Sequence, residues 1–390
     1  MRGRGTGALL AVVLGLVLSG CGSHGLPPSD RASDGAFDGA SSDSSDVGPT
    51  DSGVDRKSDA AMAGTIDGPV DTTVDGAMAG AIDGAIDGTT DSSQPQRHAI
   101  TEFPVFDIPT HIDSIAVAPD GNVWFSNLGT SVWRITVTGE ITKFSELGTA
   151  TDPVAVSEII VGPDGNLWFA DSTYRHVGRL TMAGALTSFP LPADSADAEN
   201  IAVGPDGNLW FCGRGEPRIG RVTPAGVITS FPSNPEQTPY DITSGPDGNI
   251  WFTQAGAGTA GVAHIARDGS GLVEIPFPSS DYGHIARDAD GYLWVTEVVT
   301  AKIARVTPAG VITEFTIPTP GSRPTQITLG PDGNMWFAEG RGSNIARITP
   351  AGDMTEFPVP EVGVSSIAIA PNRAIWFGFV YATSIATMEM

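Results

Sequence analysis

Cysteine is nearly missing from this chain: 390 residues hold two, Cys21 and Cys212. Cys21 falls in an N-terminal export-type segment, so Cys212 has no intrachain partner left. Stability must therefore come from packing, with Cys212 acting as a small buried apolar side chain. Bases are scarce as well, 21 against 45 acids, for a net charge of −24. Nucleic-acid binding needs basic patches that displace counterions, and this balance argues against it. Cations, polyols and cationic partners stay open. A long apolar run is also lacking. The stretch from Ala8 to Leu18 has the length of a signal-peptide core and is too short to span a bilayer comfortably. No Cys/His cluster has zinc spacing, and neither a nucleophile elbow nor a phosphate loop occurs. Glycine and proline, with 49 and 30 copies, are abundant and punctuate many turns.

The N-terminus reads as an address. Arg2 and Arg4 precede the apolar run, which ends Leu18-Ser19-Gly20-Cys21. That end resembles the lipobox of bacterial lipoproteins, which implies cleavage before Cys21 and a lipid on its thiol. The expected division is a lipoprotein signal peptide at 1–20, a tether at 21–98 and a folded domain at 99–390. Gly22 in place of aspartate favours, by resemblance to envelope sorting rules, the outer membrane of a two-membrane bacterium. Residues 22–98 hold 14 aspartates, no glutamate and four bases, with few large apolar side chains. Such a segment cannot bury enough surface to offset its chain entropy, so a disordered linker is expected.

From residue 99 onward the chain repeats itself. The unit is Gly-Pro-Asp-Gly-Asn, then Trp-Phe, an Ile-Gly-Arg-Val-Thr-like strand, Pro-Ala-Gly, and Ile-Thr-Glu-Phe-Pro. Its tryptophans are Trp124, Trp168, Trp210, Trp251, Trp294, Trp336 and Trp376, spaced by 44, 42, 41, 43, 42 and 40 residues. Seven units of this length, each with four short strand signals, predict an all-β fold, a seven-bladed β-propeller with four-stranded blades. In the third unit the strands are expected at 199–203, 208–212, 218–223 and 227–231. Ile100 to Phe103 reads as an outermost strand with no blade before it. The last unit stops at its third strand, Ser384 to Met388. The first segment is thus expected to supply the missing strand and close the ring.

The Gly-Pro-Asp-Gly-Asn-Leu-Trp-Phe, Ile-Gly-Arg-Val-Thr and Ile-Thr-Glu-Phe runs resemble the streptogramin B (virginiamycin B) lyases over roughly Ile100 to Met390. The resemblance implies elimination at the ester of a cyclic depsipeptide, aided by magnesium. It also implies a histidine in the inner strand of blade six, a glutamate and a histidine in blade seven, and a glutamate after that blade's Trp-Phe. Here those four positions hold Thr325, Gly363, Ser365 and Val380. None can move a proton at neutral pH, so the chain departs from the lyases where their chemistry lies.

Hairpin geometry locates the channel mouth at the end opposite the Asp-Gly turns. Inner-strand starts give Asp113, Ser157, Glu199, Tyr240, Gly283, Thr325 and Ser365. The positions three past each tryptophan give Asn127, Asp171, Gly213, Gln254, Glu297, Glu339 and Phe379. Strand alternation leaves the register open by one, to Ser114, Glu158, Asn200, Asp241, His284, Gln326 and Ser366. The binding set expected is Asp113, Asp171, Glu199, Tyr240, Glu297 and Glu339, an acidic mouth without bases. It suits calcium or magnesium, or a cationic, hydroxyl-rich ligand; the bland alternative puts these acids on outer loops facing solvent. His284 and Glu297 are the expected acid–base pair, and His176 is expected to be solvated. The favoured function is a monomeric envelope lipoprotein, tied to the membrane by its lipid, whose propeller binds a small molecule, glycan or protein without turning it over. The alternatives are a carbon–oxygen lyase with an antibiotic-resistance role, a diverged activity on His284 and Glu297, and a protein-interaction scaffold.

Overall fold

The computed structural model describes residues 98–390 apart from 106–111, 128, 130, 145–146, 150–151, 154, 257 and 280. The signal peptide, Cys21 and the linker lie outside the described residues. Within them the chain forms seven four-stranded antiparallel sheets and a two-stranded ribbon, with no helix. Blade three is representative, with strands Asn200–Val203, Leu209–Cys212, Arg218–Val222 and Ile228–Pro232, paired in that order. Each bound lies within about one residue of the sequence expectation.

The ring closes as the repeat predicts. Ile100–Pro104 pairs antiparallel with Ser384–Glu389, Ile100 opposite Met388 and Pro104 opposite Ser384. Blade seven thus takes its outermost strand from the start of the domain.

The repeat residues serve this architecture. Gly207 turns the first hairpin at φ +74°, where a side chain would be strained. Asp206 beside it accepts from Asn208 N–H (3.2 Å) and from the Trp210 indole N–H (3.1 Å). The Arg221 guanidinium lies 5.5 Å from the centre of the same indole. The turn acid, the tryptophan and the arginine therefore form one stack here, and the same stack recurs in blades two and six, at Asp164, Trp168 and Arg179 and at Asp332, Trp336 and Arg347. Gly204 is required by the same packing, since a Cβ there would fall 2.3 Å from the Trp210 ring. Equivalent indole bonds recur at Trp168, Trp251 and Trp336, to Asp164, Asp247 and Asp332.

Between blades the apolar side chains interleave. One cluster joins Trp168, Ala170 and Val177 of blade two to Leu209, Phe211 and Val222 of blade three. The next joins Trp210, Cys212 and Ile219 to Ile250, Phe252 and Ala263 of blade four. Each sheet is thus buried by its neighbours, and no blade holds a core of its own. Cys212 is fully buried, which pushes its thiol well above the ordinary value and leaves it inert.

Candidate functional site

The innermost strands of the blades border the channel, and residues just beyond some second strands complete its mouth. Its mouth holds a cavity of about 320 Å³ whose wall includes Asp113, Glu158, Glu199, Arg214, Tyr240 and His284 on one side. Thr325, Ser365 and Val380 line the other side. Both candidate registers therefore reach the mouth. In blades four, six and seven the pairing slips between Pro239 and Ile242, Pro324 and Ile327, and Val364 and Ile367. Such bulges let successive residues approach the same opening.

The second register also braces the ring. Ser114 Oγ accepts from Ile159 N–H (3.1 Å), Glu158 Oε2 from Ile201 N–H (2.6 Å), and Asp241 Oδ2 from Ile285 N–H (2.8 Å). Asn200 donates to the Tyr240 carbonyl (2.6 Å), and Gln326 accepts from Ile367 N–H (3.0 Å). Each of these side chains reaches the inner strand of the next blade. Burial pushes the Glu158 carboxyl well above its usual range, and the carboxylates of Asp241, Asp113 and Glu199 push it the same way.

Three of the expected mouth acids are elsewhere. Asp171, Glu297 and Glu339 are each 0% exposed. They end the second strand, one strand back from the channel, and turn into the blade. Asp171 accepts from the N–H groups of Ala155 and Tyr174, both at 2.9 Å. His176, expected in solvent, is buried and sits 3.6 Å from Asp171. Glu297 accepts from the hydroxyls of Thr300 (2.8 Å) and Ser279 (3.1 Å), so it does not partner His284. Glu339 accepts from the Asn344 amide at 3.0 Å. Burial raises all three carboxyls. For Glu339, beside Glu356, the rise reaches about 8.

The mouth is not free of bases either. Arg214, from the loop after the second strand of blade three, pairs with Glu199 at 2.9 Å and lies 4.8 Å from the Tyr240 ring centre. No repeat position marks it in the sequence. Tyr240 meets Tyr282 and His284 edge-on, with centroids at 5.3 and 5.4 Å. Burial, outweighing the pull of Arg214, holds its phenol above the ordinary value.

Residues 233–390 match the Virginiamycin B lyase family. A crystal structure of a catalytically inactive virginiamycin B lyase variant from Staphylococcus aureus, with quinupristin, is 29% identical with a TM-score of 0.68. The match covers 75% of this chain and all of that one. A streptogramin B lyase structure is likewise 29% identical, with a TM-score of 0.67 over 75% and 97% of the two chains. This chain carries a virginiamycin B lyase-like propeller. No curated protein sequence matches it.

In this lyase-like propeller two of the four positions the resemblance singles out are spent on the backbone. The Thr325 hydroxyl reaches the Val364 carbonyl at 3.3 Å, and Ser365 Oγ donates to the Ile112 carbonyl. Val380 offers only hydrocarbon. Gly363 has φ +83°, and a Cβ there would meet the Tyr381 ring at 3.2 Å, so a glutamate fits poorly. The magnesium implied by the resemblance does not fit these residues. Of the acids at the mouth, Glu199 is paired with Arg214, and Glu158 is spent on the Ile201 backbone N–H. Among the described residues no three of His, Cys, Asp and Glu gather as a metal-holding group.

Proposed function

We propose that this protein is a lipid-anchored envelope protein whose propeller binds a small polar ligand at the channel mouth and does not carry out streptogramin elimination. The observation that carries this reading is the use made of Thr325 and Ser365. Their hydroxyls donate to backbone carbonyls, and among the described residues neither is hydrogen-bonded to a side-chain base. General acid–base catalysis contributes roughly 10²–10⁴-fold, and these positions supply none of it. The other side of the mouth supports binding. Three carboxyl groups, Asp113, Glu158 and Glu199, face one guanidinium, Arg214, beside an aromatic pair, Tyr240 and Tyr282. That excess of acid favours neutral or cationic ligands over anions.

The test is incubation of the full chain with quinupristin, followed by mass spectrometry. The expected outcome is an intact ring after a time in which a streptogramin lyase opens it completely; rapid opening would overturn the reading. The anchor has its own test. Cys21→Ser is expected to move the protein from the membrane fraction to the soluble one, and unchanged membrane retention would refute lipidation.

A further inference from the structure

His284 breaks the pattern of its ring. It occupies the position at which Ser114, Glu158, Asn200, Asp241 and Gln326 each reach the next blade. Among the described residues His284 makes no bond to blade six. Its ring turns back to blade four, with Nδ1 3.2 Å from Asp241 Oδ2 and Nε2 3.4 Å from the Tyr240 hydroxyl. Its backbone N–H is held by Thr296 Oγ1 at 2.9 Å. Ser366 makes no such bridge either, but it carries no base. A carboxylate at Nδ1 keeps the hydrogen on that nitrogen, which directs the Nε2 lone pair at the phenol. Asp241 is itself fixed, because its backbone N–H donates to Thr253 Oγ1 at 3.1 Å and Oδ1 accepts from Ile242 N–H at 2.7 Å. Tyr240 and His284 both border the cavity, and Arg214 overhangs the Tyr240 ring.

We propose that Asp241, His284 and Tyr240 form an acid–base relay at the blade-four side of the mouth, which hydrolyses activated carboxylic esters. The inference goes beyond ligand binding and rests on the mouth being the ligand site. Water attacks the ester carbonyl carbon. As its oxygen bonds to carbon, its proton passes to the Tyr240 oxygen while the Tyr240 proton passes to His284 Nε2. The C=O π pair moves to the carbonyl oxygen, where Arg214 faces the negative charge. The tetrahedral centre then collapses, the C–O bond to the alcohol breaks, and the proton returns through Tyr240 to the departing oxygen. One ester and one water give one carboxylic acid and one alcohol, with the relay restored. Tyr240 and His284 act on the reacting atoms; Asp241 is a positioning residue.

The substrate class follows from magnitude. A general acid–base relay adds roughly 10²–10⁴-fold, and one oxyanion contact about 10²–10³-fold. Without a covalent nucleophile, that suffices for esters with good leaving groups and falls short for amides.

The probe is 4-nitrophenyl acetate, with release of nitrophenol followed by the full chain. Saturable hydrolysis is expected, with kcat/KM lowered about 100-fold in His284→Gln and in Tyr240→Phe, and unchanged in His98→Gln. Melting temperatures identify any variant that fails to fold. Asp241→Asn is expected to lower kcat and to move the midpoint of the pH–rate profile; an unchanged midpoint would remove Asp241 from the relay. Equal rates in wild type and in folded His284→Gln would overturn the proposal. Thr325→Trp separates the two readings, because it fills the opposite wall of the mouth. Loss of hydrolysis there with His284→Gln unaffected would keep the ligand site and discard the relay. Hydrolysis that survives Thr325→Trp would mean that the mouth is not the site at all.

Discussion

Blades five and six share a polar frame and differ at its centre. In blade five Glu297 ends the second strand, Lys302 stands opposite it, and Lys302 reaches Glu314 on the outermost strand at 2.7 Å. In blade six the corresponding residues are Glu339, Asn344 and Glu356. Asn344 bonds Glu339 at 3.0 Å, while Thr319 satisfies both oxygens of Glu356 through its N–H (2.9 Å) and its hydroxyl (3.0 Å). The Asn344 amide bonds Glu339 and the Thr319 hydroxyl, but it cannot balance the charge of two carboxyl groups. The missing positive charge is made up by a proton, so burial and Glu356 push Glu339 up to about 8. In blade five burial and Glu314 also raise Glu297, but Lys302 pulls it back. One side chain thus decides whether a buried acid pair holds a cation or a hydrogen.

Replacing the acid in blade six should break the comparison most completely. An unfolded glutamate gives up its proton near 4.5, and folded Glu339 does so at about 8. Between those values the folded chain holds the extra proton, so stability falls as pH rises across the window and levels off above it. Glu339→Gln keeps the hydrogen permanently. Its melting temperature relative to wild type should climb by several degrees from pH 5 to pH 8.5, given roughly 2–4 °C per kcal/mol for a domain of this size. A constant offset across that range would mean that no proton is held there. Lys302→Asn should make blade five resemble blade six, with a smaller effect. Lys302 is partly exposed, and such pairs contribute roughly 0.2–1 kcal/mol. Thermal melts should show a loss of one or two degrees near pH 7.5 that fades at pH 4, where Glu297, raised by burial, takes up a proton. An equal loss at both values would assign Lys302 a packing role alone.

The propeller was legible because every repeat carries its own scaffold. The tryptophan that Asp206 and Arg221 hold in blade three, Trp210, recurs at near-regular spacing, so seven tryptophans count seven blades. Ring closure was legible because Ile100–Phe103 copied an outermost strand that had no blade of its own. The mouth was legible only in part. Asp113, Glu199, Tyr240, Thr325, Ser365, Val380 and His284 do line it. The hairpin argument failed for Asp171, Glu297 and Glu339 because the second strand lies behind the first and turns these side chains into the blade. Arg214 escaped notice because it lies in a loop, where the repeat imposes no residue type. His284 had a visible register but a hidden partner. Asp241 is 43 residues earlier in sequence, and only the blade-to-blade packing brings the two within 3.2 Å.

Pairing Ile100 with Met388 also imposes an order on biogenesis. The strand Ile100–Pro104 emerges from the ribosome long before its partner Ser384–Glu389 and must wait for it. By the logarithmic loop rule, bringing such distant ends together costs on the order of 5 kcal/mol of chain entropy beyond a constant. Six blades can assemble in sequence from neighbouring strands, whereas the seventh is complete only once Ser384–Glu389 has been made. Until then Ile100–Pro104 has no ladder to join, and a protease or chaperone that reads extended chain has a target. Synthesis of Ser384–Glu389 is therefore the event that turns an open array into a closed ring, and a premature stop before Ser384 would leave the whole circle unsealed.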